Sequence, residues 1–452
     1  MTENLKGYKD KALEILTEKE IEVWDILQIT TEKNEFEGIL LPRIETSPPN
    51  YIEIKLANNY NVGISVSDIS KIKKIGEKEA KYQIPEKEFP KNEDLPNIKL
   101  FGTGGTVASR LDYTTGAVIP SFTPGELFSS VPELAEICNL DTEIVFEILS
   151  ENMKPQYWQQ LAKKIETAAN SGIEGIVIGH GTDTMGYTAA ALSFMLKDLS
   201  IPVVLVGSQR SSDRPSSDAA LNLINATVTA TSDIAEVVLC MLGSSSHNYG
   251  FIHRGTLVRK MHSSVRATFR TIDDIPLGVV KDREINMLKN DYQKRSNKET
   301  VAKTKFEKKI GLIYYHPGLD DEILHHYIDM GYKGIVLAGT GLGHVGENFY
   351  NAIERAIEEG ITILMTVQTL HGFTGMNVYS TGRELLNLGV IPGRNMIPEV
   401  GYVKLGWVLG QTTNKNEVSR LLKTNIAGEF LKREIPIAFN YSERDIKNLL
   451  NE

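Results

Sequence analysis

Two stretches of this chain bring glycine, hydroxyl and carboxylate groups together in patterns that can do chemistry. The first, Leu100-Phe101-Gly102-Thr103-Gly104-Gly105-Thr106, is a short apolar run that enters a glycine turn and ends on a threonine hydroxyl. Glycine tolerates positive φ and admits close approach to the main chain. The turn can therefore present amide N–H groups and the Thr106 hydroxyl at a strand's carboxyl end, where open α/β sheets bind their ligands. By itself this loop fits a tight strand-to-helix turn, a phosphate cradle or a loop carrying a nucleophilic threonine. The phosphate reading lacks the P-loop spacing and its Gly-Lys-Ser/Thr ending. The second stretch, Gly179-His180-Gly181-Thr182-Asp183-Thr184-Met185, follows the buried-strand pattern Gly175-Ile176-Val177-Ile178 and precedes an apolar helical run over residues 189–196. Its hydroxyls and carboxylate, with a nearby lysine, can form a proton-transfer relay. A helix cap by Thr182 or Asp183 is the plainer account. Two loops of the same layout in one sheet make that account the weaker one.

Such loops need a sheet to hold them, and the surrounding sequence supplies one. The expected fold class is α/β, a two-lobed body with mostly parallel sheets, preceded by a small all-β, barrel-like module. In residues 1–70, apolar and polar positions alternate at 21–23, 39–41, 52–56 and 62–66, with turn signals at Ser47-Pro48-Pro49-Asn50 and Asn58-Asn59. Asp25, Glu32 and Glu37 make a docking module a better reading than an RNA-binding one. Residues 71–97 are rich in Lys, Glu and Pro, with Pro85, Pro90 and Pro96 opposing regular structure, and read as a linker. Strands and helices alternate over 98–290, the larger lobe with the two loops. A helix is expected to start at Thr123-Pro124-Gly125-Glu126, a strand over 144–149 to end on Ser150-Glu151, and a helix over 155–171 to carry Tyr157, Leu161, Ile165 and Ala168 on one face, with Gly172 as its stop. Residues 203–206 and 237–241 read as further strands. Residues 251–262 read as a hairpin turning near Arg254-Gly255 and carrying Lys260. The charged stretch 291–309 reads as an inter-lobe linker, and 310–452 as a smaller α/β lobe with strands at 310–315, 335–338 and 361–367. Within that lobe Gly341-Leu342-Gly343-His344-Val345-Gly346 spells GxGxxG, but the acid expected at the end of the next strand is missing, since it closes on Thr366-Val367-Gln368. A tight turn facing the lobe or subunit interface is the better reading than a dinucleotide site.

Composition narrows the function. A chain of 452 residues has room for two or three cores, and its hydrophobic share of 41% is that of a globular protein. No apolar run reaches membrane-spanning length and the N-terminus has no signal-peptide core, so a cytoplasmic protein without membrane contact is expected. A net charge of -9 argues against a broad nucleic-acid surface. Cys138 and Cys240 sit in apolar surroundings without CxxC spacing and are expected as buried free thiols. The pair His325-His326 points in two directions on a helix, and no metal site is expected.

The pair of stretches Thr103-Gly104-Gly105-Thr106 and His180-Gly181-Thr182-Asp183-Thr184 resembles the two signature loops of the L-asparaginase and glutaminase family, over residues 97–440. The resemblance implies an asparaginase-like body in which Thr106 attacks a side-chain amide carbon to give an acyl-enzyme that water hydrolyses. It implies that Thr182, Asp183 and Lys260 form the supporting relay. Spacing alone would leave Lys260 a solvated hairpin lysine. Gly105, Gly181, Ser150 and Glu151 fall where the family binds substrate, the last two matching the loop that receives the α-carboxylate and α-amine. Tyr113 is the possible lid residue, although it lies closer to Thr106 than the family's lid tyrosine usually does.

With its front module the chain is similar to the archaeal tRNA-dependent amidotransferase branch of that family. That resemblance implies a glutaminase whose ammonia is used by a partner subunit to convert Glu-tRNA(Gln) to Gln-tRNA(Gln). ATP and Mg would serve the partner, with no cofactor bound by this chain. It further implies a homodimer within a heterotetramer and little direct nucleic-acid contact. A free-standing L-asparaginase would begin near Ile98, and residues 1–96 count against it. A non-catalytic, asparaginase-like binding scaffold would not need the set Thr106, Thr182, Asp183 and Lys260. Glutamine and asparagine differ by one methylene, worth about 1–3 kcal/mol in a pocket, so the sequence does not separate them.

Overall fold

The computed structural model describes residues 5, 7–43, 47–57, 61–77, 91–104, 109–111, 118–120, 131–210, 217–245 and 249–439. The front module holds a helix, α1 (Asp10–Glu18), and five strands, β1 (Asp25–Thr31), β2 (Glu35–Leu40), β3 (Tyr51–Leu56), β4 (Asn61–Ser65) and β5 (Ile69–Glu77). The strands form one antiparallel sheet in the order β4-β3-β2-β1-β5. Alternation sends Leu27, Ile29, Leu40, Ile52 and Ile54 into a core of the module's own, which Ala12 and Leu16 of α1 close. Two expectations change here. The module is not all-β, because α1 supplies part of its core. Its last strand also runs to Glu77, into the stretch expected as linker. Only Ile72 of β5 is buried, and an edge strand carrying Lys71, Lys73 and Lys74 has the composition of a connector.

From Asn97 the chain builds the larger lobe on an eight-stranded sheet. In chain order its strands are β6 (Asn97–Gly102), β7 (Asn139–Ile144), β8 (Gly175–Gly179), β9 (Val203–Val206), β10 (Val237–Leu242), β11 (Gly250–Arg254), β14 (Gly278–Lys281) and β15 (Glu284–Met287); a separate two-stranded ribbon, β12 (Val258–Lys260) and β13 (Phe269–Thr271), lies between β11 and β14 in sequence. The spatial order is β15-β14-β11-β10-β9-β8-β6-β7. The five strands from β10 to β7 are parallel, as a mostly parallel sheet requires, and β11, β14 and β15 extend it antiparallel at one edge. Every residue of β8, β9 and β10 is buried, as in parallel sheets covered on both faces. Helices α2 (Pro155–Ala169), α3 (Met185–Met195) and α4 (Ala219–Ala230) supply that cover.

Three local expectations are corrected. The strand expected over 144–149 is β7, which ends at Ile144. It is an edge strand with few apolar residues, and the more apolar loop behind it drew the reading. On α2 the buried aromatic is Trp158, one position after Tyr157. Residues 251–262 are not a hairpin. The apolar run of β11 is inserted between β10 and β14, whereas β12 pairs with β13, setting Lys260 opposite Phe269. The helix start expected at Thr123 lies outside the described residues.

Residues 291–309 are strapped to the larger lobe rather than loose. Val301–Ala302 pairs with Leu196–Lys197, and the Arg295 guanidinium donates to the Ala230 and Ser232 carbonyls. The smaller lobe has four parallel strands in sequence order, β16 (Ile310–Tyr314), β17 (Gly334–Gly339), β18 (Thr362–Val367) and β19 (Ile391–Pro392). Its helices are α5 (Glu322–Asp329), α6 (Tyr350–Glu358), α7 (Ser380–Leu388), α8 (Pro398–Gln411) and α9 (Lys415–Lys423). The GxGxxG stretch forms a turn closed by Gly343 and His344 amides on the Thr340 carbonyl, with Gly341 and Gly343 at positive φ. Helix α8 packs on α3, so one apolar cluster runs through both lobes and includes Leu192, Val336, Val400 and Val403. Cys138 and Cys240 are free and buried. Burial pushes both thiols up to about 12, far from a reactive thiolate.

Candidate active site

The sheet itself brings the two signature loops together. Strands β6 and β8 are parallel neighbours in register, with Gly102 opposite Gly179, so both loops leave the same carboxyl edge side by side. Thr103 then ties them, its amide and its hydroxyl both donating to the Gly179 carbonyl at 3.1 and 2.9 Å. Gly104 has φ +96°, and a Cβ there would lie 2.2 Å from the Ile148 carbonyl oxygen, so only glycine fits. Gly181 is needed for a different reason. A Cβ there would come within 2.6 Å of the Ser150 Cβ, which is how the loop after β7 reaches the loop after β8. The contact is fixed by a bond from the Thr184 hydroxyl to the Ser150 carbonyl at 2.8 Å.

Lys260 completes the cluster from β12. Its ammonium donates to the Thr182 hydroxyl at 2.9 Å and to Asp183 Oδ1 at 2.6 Å. The lysine side chain is 14% exposed and the aspartate 66%, so a screened carboxylate anchors a largely desolvated cation beside a buried hydroxyl. An ammonium in that position stabilises negative charge as it develops on the hydroxyl oxygen and can pass a proton to or from it. Ser150 is buried and Glu151 exposed. The structure thus gathers Thr182, Asp183, Lys260, Ser150 and Gly181. Gly105, Thr106 and Tyr113 lie outside the described residues, and the first loop is followed only as far as Gly104.

A supporting residue that sequence reasoning passed over is His180. It is fully buried, and burial pushes its imidazole down to about 4, so the ring is neutral. Nδ1 lies 2.7 Å from the Gly181 carbonyl oxygen, which can only accept, so Nδ1 carries the proton. Nε2 then accepts from the Thr188 hydroxyl at 2.9 Å, and Thr188 in turn accepts from the Trp158 indole at 3.0 Å. This chain holds the main chain one residue ahead of Thr182. Its one sequence signal was a histidine placed directly after a fully apolar strand. Arg259 and Glu399 were also missed, since they come from different lobes and meet at 3.0 Å.

Beside the Lys260 cluster lies a cleft of about 300 Å³ whose lining includes Asp183, Tyr187, Lys260, His262 and Glu399, with the first turn of α8 as one wall. That volume is at the small end of ligand pockets and suits an amino-acid-sized molecule. The arrangement offers a hydroxyl, a cation and a carboxylate in contact, next to a strand end carrying glycine-rich backbone. Those are the parts needed for acyl transfer from an amide.

Comparison with known proteins matches most of the chain. Residues 97–293 match the asparaginase N-terminal family, residues 309–422 the glutaminase/asparaginase C-terminal domain, and residues 21–75 the GatD N-terminal domain. The GatD subunit of glutamyl-tRNA(Gln) amidotransferase from Pyrococcus furiosus is 50% identical over 432 residues, covering 94% of this chain and 99% of that protein. The protein of the same name from Thermococcus kodakarensis is 50% identical over 430 residues, covering 93% and 97%. Among solved structures, the thermostable L-asparaginase from Thermococcus kodakarensis superposes with a TM-score of 0.67 at 31% identity, covering 74% of this chain and 99% of its own. The asparaginase covers 74% of this chain, whereas the amidotransferase relatives cover 93–94% of it. An asparaginase-type body preceded by the front module, alike over nearly the full length of those relatives, makes the chain a member of the GatD family of glutamyl-tRNA(Gln) amidotransferase subunits.

Proposed function

We propose that this chain is a glutaminase that supplies ammonia within a tRNA-dependent amidotransferase. The observation that carries the reading is the Lys260 ammonium in simultaneous contact with the Thr182 hydroxyl and the Asp183 carboxylate. In this mechanism the Thr106 oxygen attacks the side-chain amide carbon of glutamine while its proton passes through the neighbouring relay to the leaving nitrogen. Ammonia departs and a glutamyl ester remains on Thr106. Water then attacks that ester, releases glutamate and returns the proton to Thr106. Backbone N–H groups around Thr106 and Thr182 stabilise the oxyanion of each tetrahedral intermediate. Asp183 holds Lys260 and shares the binding of the substrate's α-ammonium, while Ser150 and Glu151 receive the α-groups, and Tyr113 closes over the first loop.

In the same reading the ammonia passes to a cytoplasmic partner subunit that activates Glu-tRNA(Gln) with ATP and Mg, within a heterotetramer built on a homodimer of this chain. A glutaminase working for a partner wastes glutamine if it runs at full speed alone. The partner and its charged tRNA are therefore expected to favour the competent arrangement, and a coupling of about 1–3 kcal/mol corresponds to roughly five- to a hundredfold in turnover. The test is glutamine hydrolysis by the purified chain with and without partner and Glu-tRNA(Gln), using Thr106→Ala as the inactive control, with an expected loss of about a thousandfold or more. High activity by the chain alone, preferring asparagine and indifferent to both additions, would establish a free-standing asparaginase instead. Near-normal ammonia release by Thr106→Ala would remove the nucleophile assignment.

A further inference from the structure

Away from the Lys260 cluster, three segments distant in sequence converge on one spot. Asp273 comes from the larger lobe just after β13, His371 from the loop that follows β18 in the smaller lobe, and Glu434 from the segment beyond α9. One ligand atom from each lies within 4.8 Å of the other two. Asp273 is 1% exposed and stands at φ +61°, a left-handed conformation that costs a non-glycine residue free energy and persists where something else requires it. Its Oδ1 accepts from the Gly372 amide at 2.9 Å. Its Oδ2 is shut off from water and has no hydrogen-bond partner. His371 Nδ1 is in the same condition: it lies 3.3 Å from Asp273 Oδ1 without the geometry of a hydrogen bond. Two buried, unpaired polar atoms turned to the same place, with a second carboxylate beside them, are unfavourable as they stand.

We propose that Asp273 Oδ2, His371 Nδ1 and a carboxylate oxygen of Glu434 bind a divalent cation of the zinc class, with water in the fourth position. One neutral imidazole and two carboxylates form a donor set suited to Zn²⁺, and their two negative charges balance it. The Gly372 amide orients the aspartate from behind, as outer-sphere partners of metal-bound carboxylates do. Zinc–ligand bonds of about 2.1 Å place tetrahedral ligands roughly 3.4 Å apart, so a pair near the 4.8 Å limit would need to draw together by on the order of 1 Å. The ion would clamp the larger lobe, the smaller lobe and the C-terminal segment to one another. No motif spacing announces such a site, because its ligands come from three distant stretches.

The test uses the full chain, stripped with EDTA and titrated with Zn²⁺ by calorimetry, with thermal unfolding recorded alongside. One Zn²⁺ per chain is expected, with an unfolding midpoint that rises with the logarithm of free Zn²⁺. Asp273→Asn, His371→Ala and Glu434→Gln should each weaken binding by about tenfold or more, and Mg²⁺ should not compete. His371→Ala and Glu434→Gln keep the test decisive if Asp273→Asn fails to fold. Absence of saturable binding at millimolar Zn²⁺, or stoichiometric binding retained in both His371→Ala and Glu434→Gln, overturns the proposal.

Discussion

Replacing Lys260 by methionine keeps the side chain's length and removes its charge, and the structure sets the size of the effect. A half-charge developing on the Thr182 oxygen, 2.9 Å from the ammonium, is stabilised by about 3 kcal/mol at an effective dielectric constant near 20. Loss of that term slows the chemical step by about two orders of magnitude. The effect should fall on kcat, because the lysine reaches substrate through Thr182 and Asp183. Asp183→Asn should differ, raising KM as well, since the carboxylate is also assigned to the α-ammonium. The assay is ammonia release from glutamine by the assembled amidotransferase with Glu-tRNA(Gln) present, measured over a range of glutamine concentrations. Circular dichroism should match the parent, because the β12–β13 pairing does not depend on the ammonium. A Lys260→Met enzyme with unchanged kcat and a KM raised tenfold would show that the lysine only binds substrate, and the relay would have to be abandoned.

Three further outcomes follow from the packing and the charges. Lys404 and Glu429 are both fully buried, paired at 2.6 Å, with the ammonium also donating to the Leu422 and Thr424 carbonyls; Lys404→Met should cost about 3–5 kcal/mol in urea unfolding by stranding the glutamate, and a Lys404→Met/Glu429→Gln double variant should recover part of it. A loss below about 1 kcal/mol in the single variant would contradict the burial argument. His180 has a folded-state value near 4 against an ordinary 6.5, so the unfolded chain takes up the proton first. The stability it contributes is complete above pH 6.5 and lost as the pH falls through 4, a span of about 3 kcal/mol. His180→Gln should flatten the dependence of unfolding free energy on pH across that window, and an unchanged slope would show that the ring titrates normally. Deleting residues 1–90 should leave a folded two-lobed body, because the module has its own core; the cut falls ahead of Asn92, whose amide and carbonyl both bond the Asn139 side chain. Insoluble or unfolded material would mean that the module is part of the body.

The sequence displayed most clearly whatever was local and repeated. A fully apolar strand followed by glycine and hydroxyl residues is legible wherever it occurs, and it occurred twice, which located Thr182, Asp183 and the approach to Thr106. Edge strands were legible only in part. In β5 and β7 one face meets solvent, their composition turns polar, and their limits moved. Partnership across distance was not legible at all. That β11 joins the main sheet while β12 turns away to β13 depends on which neighbour buries Phe251 and Ile252, and no local pattern records that choice. For the same reason His180 stood in plain view without a role, since Thr188 and Trp158, which define it, come from two different helices.

Helix α3 begins immediately after Thr184 and carries α8 of the other lobe along its side, and Ile397 just ahead of α8 and Glu399 in its first turn wall the cleft. Loop and cleft wall are therefore mounted on the two halves of a single bearing. A change of side-chain volume at Val403, buried in the core that α3 and α8 share, is expected to move α8 and with it the cleft wall facing Lys260. In the proposed glutaminase reading, discrimination between a longer and a shorter amide side chain would follow from that helix–helix spacing and could be tuned by residues that never touch the substrate.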